Sequence, residues 1–103
     1  MSAVHETVVA QSLLEWFDEH RTDDVALYDI TRQAATELSA VLLARKRAAA
    51  NDVEREHWEA RSELVRRQVD ALDPQNRAGL VAQQDAWADE IDALEAKLAR
   101  SLA

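Results

Sequence analysis

The sequence predicts an all-α protein. Three helices are expected, or four if the middle segment divides, with a long C-terminal antiparallel helical hairpin of coiled-coil type. Three observations carry this reading. The 103 residues include one Gly and one Pro, too few for the many turns of a β-sandwich or barrel. Apolar residues recur three and four apart along most of the chain. Asp73-Pro74 is the one strong punctuation mark, an N-cap residue followed by the residue favoured at the first helical position.

The first helix is expected over about residues 2–20, with Ser2 as its N-cap. Val9, Leu13, Trp16 and Phe17 form its apolar stripe, flanked by Val4, Val8 and Leu14. Arg21-Thr22-Asp23-Asp24 reads as a break, with Thr22 or Asp23 capping the next helix.

The middle segment, about residues 24–72, reads as one long helix or a broken one. Leu27, Ile30, Ala34, Leu38, Val41 and Leu42 give its first stripe. Arg45-Lys46-Arg47 suits a helix C-terminus, and Asn51 with Glu54 resembles a capping box. Nothing between them is a strong breaker, so the continuous or gently kinked helix is preferred. Val53, Trp58, Leu64, Val65, Val69 and Leu72 form a broad second stripe, with Glu54 and Arg61 near its middle.

The last helix is expected over about residues 74–102. Leu80, Gln84, Trp87, Ile91, Leu94 and Leu98 alternate steps of four and three, the a/d seam of a heptad repeat. A short joint at Leu72–Pro74 folds this helix back on the one before it. The chain is read as a single helical domain. Twenty of its apolar residues are alanines, which favour helix but bury little. The expected result is a slender bundle, completed by a second copy or another protein.

Composition narrows the function. There is no Cys, hence no disulfide framework, thiolate nucleophile or Cys-based zinc site. One Gly cannot build a phosphate-cradling loop. The net charge of −8 opposes binding to nucleic-acid phosphates and to anionic membrane surfaces, and favours a partner with a basic surface. The longest uncharged run, Thr7–Leu14, is far short of the roughly 20 apolar residues of a membrane span. No signal peptide is visible, so a cytoplasmic protein is expected. Ten Arg against two Lys, with abundant Ala, suggests a bacterial gene rich in G and C.

The chemistry-bearing residues form no active site. His5-Glu6 opens like a zinc-protease motif, but the second His position is Val9. Glu54-x-x-His57 matches the helical pair of di-iron bundles, which need a second such pair. Ser39 and Ser62 lack a neighbouring His or a glycine elbow. Arg45-Lys46-Arg47, or Arg61 with Arg66 and Arg67, is shorter than a nucleic-acid patch and diluted by acids. No catalytic residues, metal site or cofactor are expected.

Charge is uneven. Residues 1–24 hold six acids and one Arg, net −5, and residues 25–50 are net +2. Residues 51–72 and 73–103 are at −2 and −3. Trp16-Phe17 stands among Glu15, Asp18 and Glu19, followed by Asp23 and Asp24. Aromatic anchors ringed by acids suit a basic, apolar-lined pocket on another protein. Trp58 and Trp87 are more simply core residues.

The expected function is therefore a non-enzymatic helical interaction module. Its most concrete form is a small acidic inhibitor, similar to antitoxins in being short, acidic and helical, that covers the basic substrate site of a toxin or enzyme. The predicted partner-binding residues are Glu15, Trp16, Phe17, Asp18, Glu19, Asp23 and Asp24. The alternative is a self-associating helical hairpin acting as a homodimeric scaffold or adaptor. A helix-turn-helix DNA-binding regulator fits poorly with the acidic charge.

Overall fold

Forty-six consecutive residues form the first helix, α1 (Ser2–Arg47). It is followed by α2 (Asp52–Asp70) and α3 (Arg77–Leu102). A computed structural model describes the backbone of residues 2–102 and the side chains of residues 25–100. Among these residues there is no strand and no positive φ.

The expected break at Arg21–Asp24 is absent, because α1 runs through it. None of these four residues is Gly or Pro, and each costs less than about 1 kcal/mol in a helix interior. A capping side chain there would have to outcompete an uninterrupted ladder. The continuous helix preferred for residues 24–72 is absent too, since α1 ends at Arg47 and α2 begins at Asp52. Asn51 is extended, at φ −154° and ψ 173°, and its Oδ1 accepts the Glu54 N–H at 2.8 Å. Glu54 Oε2 in turn accepts the Ala50 N–H at 3.1 Å. This reciprocal cap satisfies donors that a helix start leaves open, and it wins over the helix propensity of the alanines before it.

The last helix begins three residues later than Pro74. Asp73 Oδ1 accepts the Gln75 N–H at 2.9 Å, and the Asp73 carbonyl accepts the Asn76 N–H at 3.0 Å. Those two bonds close a turn with Pro74 at its second position. Asn76 then caps α3, its Oδ1 accepting the Gly79 N–H at 3.0 Å. A Cβ on Gly79 would lie 2.6 Å from Asn76 Nδ2, so the bare glycine lets this cap close down on the helix.

Packing is organised around α1. Helices α2 and α3 each pack on it, while no Cα of α2 comes within 8 Å of one in α3. Thr31 Oγ1 meets the Leu80 carbonyl, and Arg45 Nη2 donates to the Leu94 carbonyl at 2.7 Å. Both pairs are separated by 49 residues, so α3 runs parallel to α1. Helix α2 turns back at Asn51 and runs the opposite way, with Lys46 Nζ 3.0 Å from Glu59 Oε1.

The core is small. Ala35, Leu38 and Leu42 of α1, Val65 of α2 and Trp87 of α3 form one buried cluster. Ala34, Trp58, Val69, Leu72, Ile91 and Leu94 pack around it. Leu80 is buried as well. Within the predicted stripes, Ile30 is 51% exposed while neighbouring Thr31 is fully buried. The Thr31 hydroxyl donates to the Leu27 carbonyl at 2.8 Å, so the position takes a polar residue without an unmet bond. Val53 and Leu64, expected on the α2 stripe, are exposed.

Trp87 reaches all the elements that form the core. Replacing it with Ala removes its largest buried side chain, a loss of about 3–5 kcal/mol. That is a large part of the stability of a domain this size. Trp87→Ala is therefore expected to lose most of its cooperative urea transition, followed by circular dichroism at 222 nm, whereas Val53→Ala at an exposed site keeps it.

Candidate partner-binding site

Register places the predicted site. With α3 offset by 49 residues, its first residue, Arg77, falls level with about residue 28 of α1. From the Lys46–Glu59 pair, and at equal rise, the last residue of α2 falls level with about residue 35. Residues 2–24 of α1 thus continue the helix past both partners, by about 34 Å at 1.5 Å per residue. The longest dimension of the molecule, 73 Å, is close to the length of α1 itself.

Glu15, Trp16, Phe17, Asp18, Glu19, Asp23 and Asp24 all lie on this projecting segment. Their side chains lie outside the described residues. Their helical backbone puts Glu15 and Glu19, and likewise Glu19 and Asp23, one turn apart.

Arg45, Lys46, Arg61, Arg66 and Arg67, singled out in the sequence, are occupied within the bundle. Arg45 holds the Leu94 carbonyl and lies over the Trp58 ring, 5.9 Å from its centroid. Lys46 pairs with Glu59. Arg61 forms a two-bond fork with Glu90 across α2 and α3, its Nε 3.0 Å from Oε2. That contact raises the Arg61 pKa against the opposing effect of burial. Arg66 and Arg67 both reach Glu63, at 2.5 and 3.6 Å. Lys46, Arg61, Arg66 and Arg67 are thus stitched to carboxylates rather than gathered into an anion site.

Glu54 of the Glu54-x-x-His57 pair is committed to the cap of α2. His57 packs edge-on to Trp58. Among the described residues no three His, Asp or Glu side chains converge as metal ligands. Nor does any described helix have the length and apolarity to cross a membrane. Trp87 is 1% exposed and its Nε1 donates to Gln68 Oε1 at 3.3 Å. Trp58 is half-buried, and its Nε1 is buried without a hydrogen-bond partner.

Two features escaped the sequence reading. A cavity of about 210 Å³ opens at the α2–α3 corner, between Gln68, Leu72, Asp73, Asn76, Gly79 and Gln83. It depends on where the Asp73–Asn76 turn goes, which no periodicity reports. The second is a pair of exposed apolar residues, Ile30 on α1 and Val81 on α3. Ile30 looked like core because spacing identifies an apolar stripe but not the side from which neighbours arrive. Compared with known proteins, the chain matches no family model, no curated protein and no solved structure.

The bridge from Arg66 to Glu63, more than its charge alone, holds the Glu63 carboxyl below its ordinary pKa. A depressed carboxyl contributes stability that is present above the unfolded-state pKa and lost as pH falls through the folded value. Glu63→Gln is expected to reduce the loss of stability on acidification, measured as the urea midpoint near pH 7 and near pH 3. An unchanged pH dependence would show that these exposed charges are too well screened to matter.

Proposed function

We infer that this chain is a non-enzymatic protein–protein interaction module that docks through the N-terminal half of α1. The projection of residues 2–24 beyond α2 and α3 is the observation that supports this reading best. A helix that outruns its own bundle offers an element for another molecule to bind, and this one is the most acidic stretch of the chain. Trp16 and Phe17 supply aromatic anchors, while Glu15, Asp18, Glu19, Asp23 and Asp24 supply charge that steers the helix toward a basic surface.

In its most concrete form the protein is an antitoxin-type inhibitor acting in the cytoplasm. The helix lies in the basic substrate site of a toxin or other enzyme and blocks it by occupation. The bundle serves as the handle. Helices α2 and α3 act as an antiparallel hairpin, and the α3 seam residues Leu80, Trp87, Ile91 and Leu94 grip the second half of α1 and hold its first half out.

Co-expression with the products of the neighbouring genes, followed by light scattering and an activity assay, tests the reading. A stable complex with a basic enzyme is expected, inactive while bound. Trp16→Ala combined with Phe17→Ala is expected to abolish the complex with helicity nearly unchanged. Loss of the fold instead would make those rings core residues, and elution of the chain without any neighbour would overturn the inhibitor reading.

A further inference from the structure

We propose that, without another partner, the chain forms a two-fold homodimer in which α1 pairs antiparallel with α1 of a second copy. The projecting half of each α1 then fills the outer groove between α1 and α3 of the other copy. This does not depend on the inhibitor reading.

The groove is defined by described residues. On α1, Lys46 faces α2 and Thr31 meets α3. Ile30 lies about 100° from Thr31 and about 160° from Lys46 around the helix, on the α3 side and away from α2. On α3, Gly79 and Gln83 line the cavity shared with α2, and Val81 lies about 200° round from Gly79. Ile30 and Val81 therefore flank the same groove, within one turn of the Thr31–Leu80 level. They are 51% and 41% exposed, and half-buried Ala34, Val41 and Ile91 extend the strip along the bundle.

Three arguments choose a second copy as occupant. The first is length. The projecting residues 2–24 span about 34 Å, and the groove beside residues 26–47 of α1 spans about 33 Å. Antiparallel pairing about a point near residue 25 matches each to the other and uses one surface twice, as two-fold symmetry requires.

The second is charge. Parallel pairing would set net −5 against net −5, whereas antiparallel pairing lays residues 2–24 along a groove whose walls, residues 25–47 of α1 at net +2 and α3 at net −2, cancel, so the like-charge repulsion is avoided. The third is area. The chain exposes 7658 Å², against about 5,800 Å² for a folded monomer of its mass. Its radius of gyration is 20.4 Å, against about 13 Å for a globular chain of this length. The excess surface exceeds the roughly 800 Å² per partner that a stable interface buries. The dimer also hides the helix that a protein partner would bind, so the two associations compete for it.

Light scattering and sedimentation of the purified chain test the proposal. A particle of twice the 11.6 kDa chain mass is expected. Ile30→Lys combined with Val81→Lys is expected to weaken it about 100-fold or more, with circular dichroism unchanged. Val53→Lys, at a 79% exposed site away from the groove, is expected to leave it intact.

Orientation is read separately on chains with the groove unaltered, since the protein has no native Cys. Nitroxides on Val25→Cys should sit within about 25 Å of each other across the dimer. On Arg47→Cys they should be about 65 Å apart. A monomer at tens of micromolar, a dimer indifferent to the lysines, or a short Arg47–Arg47 distance would each overturn the proposal.

Discussion

Burial of the Trp87 indole between three helices is the interaction on which the rest of this structure depends. Among the described residues the core has few large side chains, and Trp87 is the largest of them. It fills the space between α2 and α3, whose backbones stay apart, and its Nε1–H finds Gln68 so that the polar end of the ring is not stranded. The Arg61–Glu90 fork bridges the same pair of helices. With α2 and α3 fixed on the second half of α1, the first half is left to emerge as a single helix.

Much of this architecture was legible in the sequence, for physical reasons. The helical class came from the lack of turn residues and from periodicity. Trp87, Ile91 and Leu94 pack where the heptad spacing puts them, whereas Leu98, last on the same seam, is 48% exposed. The boundary at Asn51 was visible as a cap, yet the alanines before it argued for continuity. In the structure two reciprocal side-chain bonds outweigh a weak propensity. The Arg21–Asp24 break erred the other way, since polar residues that can cap a helix can also simply continue one.

The neighbours of each stripe were not legible. Ile30 and Thr31 differ by 100° around α1, and only the arrival of α3 beside Thr31 decides which is buried. The topology was equally hidden, because the short α2–α3 joint showed that α3 folds back on α2 but not where α1 lies. In the structure α1 lies against both helices, parallel to α3. As for the candidate site, its residues and acidic charge were readable directly. Its position past the ends of α2 and α3 needed the register of all three helices.

That register also bears on how the chain reaches its fold. Between α1 and α2 the Lys46–Glu59 pair spans only 13 residues, and the separation widens toward Leu38 and Val65. Each closes a loop only slightly longer than the last, so this pair can zip outward from the Asn51 corner at little added entropy. Contacts between α1 and α3 have no such short beginning. The Thr31–Leu80 and Arg45–Leu94 bonds, at opposite ends of the pair, both span 49 residues. The loop cost is therefore met once and in full for this pair, which makes α1 with α2 the cheaper of the two pairings to close from an open chain.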